Sequence, residues 1–319
     1  MPKFYIKHTT QYNYSDLVFD AANQMMLHPV QDEFQSISSH TLSITNNPKI
    51  ESRKDSFGNT VATIMIIEPH RQLSIISEIE VRTSQKSNPE DTMPALEQWE
   101  ALKQLHTNPL FIDYLKHKPF NGSAEILELI KNKALFNLTP FKATVALSDY
   151  VFNHFKYIKG ITNVDSNLND VWELKAGVCQ DFTILLLQLV RMLGIPARYV
   201  SGYICPNESA SRGEGATHAW VEVYIPFYGW IGLDPTNNLI ANEFHVRLSV
   251  GRNYKDCTPV KGIYKGNVEE DLIVKVEINT TKNTDPFSNN DATYTKNQNS
   301  YRQSLERPRT SNHQQQQQQ

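Results

Sequence analysis

Cys179, His218 and Asp234 have the residue types and the chain order of a nucleophile, a base and an orienter, the set needed for cysteine-dependent acyl transfer. Cys179 follows the turn Ala176-Gly177-Val178 and opens the amphipathic run Cys179 to Leu193, which predicts a sulfur in the first turn of a buried helix. Outward-pointing backbone N–H groups and the helix dipole favour a thiolate at that address. His218 lies in Thr217-His-Ala-Trp-Val-Glu-Val-Tyr-Ile225, a run of β-branched and aromatic residues that reads as a strand. Asp234 ends the next such run, Gly229-Trp-Ile-Gly-Leu-Asp234, and Pro226 to Gly229 supplies a hairpin turn between the two. A thiolate is both a good nucleophile and a tolerable leaving group. It needs an imidazole to protonate the departing amine, and the imidazole needs an acceptor that fixes its tautomer.

Other residues gather around this set. Backbone N–H groups at the helix start, with Gln180 as a side-chain helper, could form an oxyanion hole. Trp172, Tyr203 and Trp220, with Trp230, could line a cleft for the acyl donor, although aromatic residues beside strands more often pack a core. Asp181 suits a first-turn N–H or a neighbouring loop better than proton transfer. A zinc reading would recruit Cys179, Cys205, His218 and His245. It lacks the close Cys-x-x-Cys or His-x-x-x-His spacing of structural zinc sites, so no metal and no cofactor are expected.

The elements that must hold these groups fall into an ordered series. Residues 1–84 read as a β-rich domain, with strand-like segments at Lys3–Tyr14, Ser39–Thr45, Thr60–Ile67 and Leu73–Val81 separated by Asn, Pro and Gly turns. Residues 85–94 read as a polar linker. Residues 95–278 read as the catalytic domain, with helices near 95–107, 123–133 and 143–155, a loop over 163–169, the Cys179 helix, and the His218 and Asp234 strands. Residues 279–319 are a polar tail ending in six glutamines, too poor in apolar residues to order itself.

Four blocks resemble the core of the bacterial transglutaminase-like family: Gly177-Val-Cys-Gln-Asp-Phe182, Leu193 to Tyr203, His218-Ala-Trp-Val-Glu-Val223 and Gly229 to Thr236. The β-rich stretch from Phe4 to Val81 resembles that family's N-terminal region, and His245 to Tyr254 with Val260 to Tyr264 resembles its ending. The resemblance implies an α+β fold: a β-sandwich-like N-terminal domain and a papain-like core, with Cys179 as nucleophile, His218 as general base and acid, and Asp234 as orienter. Where relatives often carry a histidine after the Cys-Gln-Asp-Phe stretch, this chain has Thr183-Ile184.

Composition narrows the function classes. A net charge of −3 gives no basic footprint for nucleic acid. No apolar run approaches the roughly 18 residues needed to span a bilayer, and the N-terminus lacks a secretion-signal core. Three cysteines are too few for a disulfide framework, which points to a reducing cytoplasm. The expected substrate is a peptide or protein amide, with hydrolysis favoured because water is the default second substrate. Cross-linking to an amine, or a non-catalytic protein-binding module on the same fold, are the alternatives; the sequence does not specify the oligomeric state.

Overall fold

A computed structural model describes residues 1–162, 166–206 and 217–281, and the backbone of 293–295. The chain divides into two compact units. The expected tail lies almost wholly outside the described residues, as does part of the expected 163–169 loop. No helix among the described residues is long and apolar enough to cross a membrane.

The β-rich unit comprises residues 4–28, 37–81 and those from 258 onward. Its central strand, Lys3–Met25, is far longer than the sequence suggests. Alternating burial fits a strand with one covered face, but Ser15, Asp16 and Leu17 are all exposed, which interrupts the alternation a reader would follow. The strand pairs antiparallel with Glu270–Asn279 along its first half, and with Thr60–Ile66 and Val260–Lys265 along its second. The division at residue 278 therefore needs correction. Segments expected to close the catalytic domain complete the β-rich unit instead, because the ends of the chain satisfy each other's backbone hydrogen bonds.

The other unit holds residues 1–3, 29–36 and 82–257. Among its described residues, one antiparallel sheet runs in the order Leu239–Ile240, Gly229–Asp234, Thr217–Ile225, Ala197–Ile204, His245–Gly251. The helix Cys179–Met192 packs on it. Phe182, Leu185, Leu186, Leu189 and Val190 of the helix are fully buried and share a core with Ala219, Val221 and Val223 of the adjacent strand. At its end the helix reverses through Gly194, whose φ of +77° suits glycine, and the Ile195 N–H reaches back to the Val190 carbonyl. A second long helix, Pro140–His154, starts with Thr139 as cap and Pro140 in the first turn. Ser123 begins its helix but does not cap it; its hydroxyl accepts the N–H of Phe120 outside the helix. Residues 84–94, which include the expected 85–94 linker, form no helix or strand and lie within this unit, where Lys86 Nζ donates to the Trp230 carbonyl at 2.9 Å.

Candidate active site

Strand alternation decides which side chains share a face. Ala219, Val221, Val223 and Ile225, with Ile231 and Leu233, enter the core beneath the Cys179 helix. His218, Trp220 and Glu222, with Trp230, Gly232 and Asp234, therefore point away from that core. The register pairs Val221 with Leu233, so Asp234 lies diagonally across from His218. His218 Nε2 and Asp234 Oδ2 are 2.8 Å apart, and both side chains are wholly excluded from solvent.

Asp234 is held from every side. Its Oδ1 accepts the N–H of Thr236 at 2.9 Å and that of Asn237 at 3.3 Å, the turn that Asp-Pro-Thr-Asn builds. Its Oδ2 also accepts Asn237 Nδ2 at 2.8 Å and faces His245 Nε2 at 3.4 Å. Burial pushes the carboxyl toward its neutral form, but the charges and hydrogen bonds of His218 and His245 outweigh that and hold its pKa well below the usual range. Burial likewise opposes charge on His218, yet Asp234, and then Cys179, raise the imidazole well above its ordinary value.

The remaining nitrogen, His218 Nδ1, is buried and makes no hydrogen bond of normal geometry. Cys179, the other group that acts on this ring, is a free, half-buried thiol at the helix start. Asp181 Oδ2 accepts the Val178 N–H at 2.8 Å and the Thr162 hydroxyl at 2.6 Å, fixing the backbone just before the sulfur. The first intrahelical bond runs from the Phe182 N–H to the Val178 carbonyl, so the N–H groups of Cys179 and Gln180 point out of the helix start. Gln180 is half-buried in that turn. Thr183 donates its hydroxyl to the Cys179 carbonyl at 2.7 Å.

The aromatic residues divide. Trp220 is buried beside His218 and edge-on to His245, with ring centroids 6.2 and 5.1 Å away. Trp172 is a core residue rather than a cleft wall: it packs edge-on against Phe120, and the Lys175 ammonium sits over its ring. Tyr203 is also fully buried, with no face left for a substrate, and burial pushes its phenol up. Trp230 stacks under the Arg198 guanidinium.

His218, Asp234 and His245 offer ligand atoms within 4.8 Å of one another. The donors already serve each other. A tetrahedral zinc ion would hold its ligand atoms roughly 3.3 Å apart, with both imidazole nitrogens bare, whereas the 2.8 Å between His218 and Asp234 is a hydrogen-bond spacing. Cys205 is not in this group. Sequence reading missed Asn237 and the approach of His245 to Asp234. Asn237 had a signal in the Asp-Pro-Thr-Asn turn, but His245 had none, because two strands separate its strand from that of Asp234.

A cysteine-headed helix on an antiparallel sheet that presents histidine and aspartate is the papain-like, transglutaminase-like architecture. The model of the transglutaminase-like superfamily matches residues 129–235, and that of the bacterial transglutaminase-like N-terminal region matches residues 4–82. The chain belongs to this family of bacterial transglutaminase-like proteins. It is 31% identical over 294 residues to the uncharacterized protein Rv2569c of Mycobacterium tuberculosis, covering 86% of this chain and 92% of that one. A crystal structure of a putative cysteine protease from Cytophaga hutchinsonii superposes with a TM-score of 0.65 at 24% identity, over 93% of this chain and 96% of that one, a likeness of fold. The protein-glutamine gamma-glutamyltransferase of Pseudomonas aeruginosa is 29% identical over 104 residues, 30% of this chain and 16% of that protein.

Proposed function

We propose that this protein is a cysteine enzyme that forms a thioester at Cys179 from an amide of a peptide or protein and resolves it with water. The observation that carries this reading is the division of labour on one ring: His218 gives Nε2 to Asp234 and keeps Nδ1 unpaired on a ring that also feels Cys179. With the proton of neutral His218 on Nε2, Nδ1 can take the thiol proton. The sulfur then attacks the carbonyl carbon, whose electron pair moves onto oxygen and is held by N–H groups at the helix start, helped by Gln180. As the oxygen pair returns, the C–N bond breaks and Nδ1 protonates the leaving amine. Water adds to the thioester, losing its proton to Nδ1, and the sulfur departs with that proton.

The same thioester can be resolved by a primary amine, which would make the protein a cross-linking enzyme; the resemblance to the Pseudomonas aeruginosa transferase favours keeping that reading. Water needs no dedicated acceptor site, and hydrolysis is therefore our reading. Three cysteines outside any disulfide suit a reducing compartment, and we propose the cytoplasm.

Intact-mass spectrometry with a glutamine-containing peptide library, following ammonia release and incorporation of a labelled amine together, tests this. Acylation of wild type that vanishes in Cys179→Ala and His218→Ala, with product carboxylate exceeding amine adduct, is expected. An inert Cys179 overturns the enzyme reading in favour of a binding module, and predominant amine incorporation overturns hydrolysis.

A further inference from the structure

Two histidines face one carboxylate oxygen, and the acyl-transfer reading uses only one of them. His245 begins the strand His245–Gly251, separated from the Asp234 strand by two intervening strands. In a flat sheet that interval is roughly 14 Å, so a 3.4 Å approach of His245 Nε2 to Asp234 Oδ2 means that the sheet curls to bring them together. Gly202 and Gly232 allow the curl: a Cβ at Gly202 would collide with the Val246 carbonyl, and one at Gly232 would come within 2.5 Å of Ala241.

The far side of the His245 ring is compatible with a proton on Nε2. Nδ1 lies 3.3 Å from the Asn242 backbone N–H and 3.2 Å from Asn242 Oδ1. A bare Nδ1 can accept the N–H, and a protonated one can donate to Oδ1 in the imidazolium form. Both arrangements leave a hydrogen on Nε2 aimed at Asp234, whereas a bare Nε2 would set a lone pair against the carboxylate.

We propose that His245 is a positioning residue of this site: its Nε2–H, given to Asp234 Oδ2, keeps the buried carboxylate an anion in the place from which it grips His218. The inference rests on the acyl-transfer reading of Cys179 and His218. The titratable groups facing Asp234 are His218 and His245. A cavity of about 220 Å³ adjoins His245, its wall carrying Glu222, Arg198, Arg247, Lys86, Asp32 and Glu33. Glu222 is paired there with Arg198 and Arg247, and Asp32 with Arg247. That space also gives a substituted side chain room.

The test is the pH profile of Cys179 alkylation by iodoacetamide on the full chain, followed by peptide mass spectrometry so that Cys205 and Cys257 are not counted. His245→Phe removes the donor that fixes Asp234 Oδ2 in place, so the carboxylate loses its alignment with His218 Nε2 and stabilises the imidazolium less; the acid limb is expected to move upward by about 0.5 to 1 unit. His245→Gln places an amide N–H near the same spot and is expected to coincide with wild type. The proposal is overturned if His245→Phe matches wild type or shifts downward, or if His245→Gln shifts as Phe does. A profile common to wild type and His218→Ala overturns the acyl-transfer reading and this proposal with it; a difference there without one at His245→Phe removes this proposal alone. Should the Phe variant not fold, nitrogen NMR of histidine-labelled wild type decides: a protonated Nε2 on His245 supports the assignment and a bare one overturns it.

Discussion

His218 and Asp234 meet diagonally across two antiparallel strands, 2.8 Å apart and sealed from water, so the imidazole has one orientation and one tautomer. Asp234→Asn would keep the hydrogen-bonded frame but offer His218 either the amide oxygen without charge or an N–H, which favours the wrong tautomer. We expect acyl-enzyme formation to fall by roughly 10²- to 10⁴-fold in Asp234→Asn. Single-turnover acylation followed by intact mass reads it, and a loss below threefold would remove Asp234 from the mechanism.

The same pair makes stability depend on pH in a defined window. Asp234 is depressed, so its contribution is complete above its unfolded pKa of about 3.9 and lost as pH falls through the lower folded value. His218 is raised, so its contribution is complete below about 6.5 and lost as pH rises toward the higher folded value. Both are therefore in force between about pH 4 and 6.5. The urea midpoint of His218→Phe should lag wild type most inside that window and less on either side. A deficit independent of pH would refute the electrostatic account.

Gly202 is the cross-strand partner of His218, and its missing side chain leaves space for the Trp220 ring and the Val246 carbonyl. An alanine there must push the strand His245–Gly251 away. We expect Gly202→Ala to cost about 1–3 kcal/mol in chemical denaturation, and to lower the acylation rate as well, because the strand it displaces begins with His245. The open turn at Gly58 provides the contrast for space alone, since a Cβ there meets nothing within 4 Å.

How far the sequence discloses this arrangement depends on whether a residue's role is local. The Cys179 helix is legible because Phe182, Leu185, Leu186, Leu189 and Val190 repeat at helical spacing and Gly194 stops them. The His218 and Asp234 strands are legible because period-two alternation also says that both residues share a face. The pairing of Lys3–Met25 with Glu270–Asn279 joins segments more than 250 positions apart, and no window of residues displays it. His245 is invisible for a related reason, since its meeting with Asp234 follows from the curl of a whole sheet. Trp172 illustrates the remaining gap: an indole looks the same in sequence whether it lines a cleft or, as here, packs on Phe120 and Phe155.

Glu222 sits between two arginines, 2.5 Å from Arg198 and 3.6 Å from Arg247. Burial opposes its charge, but the guanidinium groups hold its carboxyl below the usual range. Glu222→Ala strands Arg198 in a largely dry setting, while Arg247 keeps Asp32, and should cost about 3 kcal/mol. Lys49→Ala, which breaks the exposed pair with Glu51, should leave the urea midpoint indistinguishable from wild type. Equal effects at the two sites would show that burial is not what gives the Glu222 cluster its weight.

Asp181 offers the sharpest separation of charge from hydrogen bonding. Its side chain is buried, and that burial raises its pKa against the opposing hydrogen bonds from Thr162 and Val178. Because the folded value is raised, ionising Asp181 costs stability as pH climbs above the unfolded value of about 3.9. Asparagine keeps an oxygen able to accept the Val178 N–H and the Thr162 hydroxyl without that charge. Asp181→Asn should therefore be near neutral at pH 7, whereas Asp181→Ala leaves the part-buried Val178 N–H without its acceptor and should lose about 1–3 kcal/mol. The alanine variant should also acylate more slowly, since Val178 directly precedes the nucleophile. Urea denaturation of both variants decides it: if Asn is as damaging as Ala, the carboxylate charge itself, stabilised by the helix start, is what the site requires.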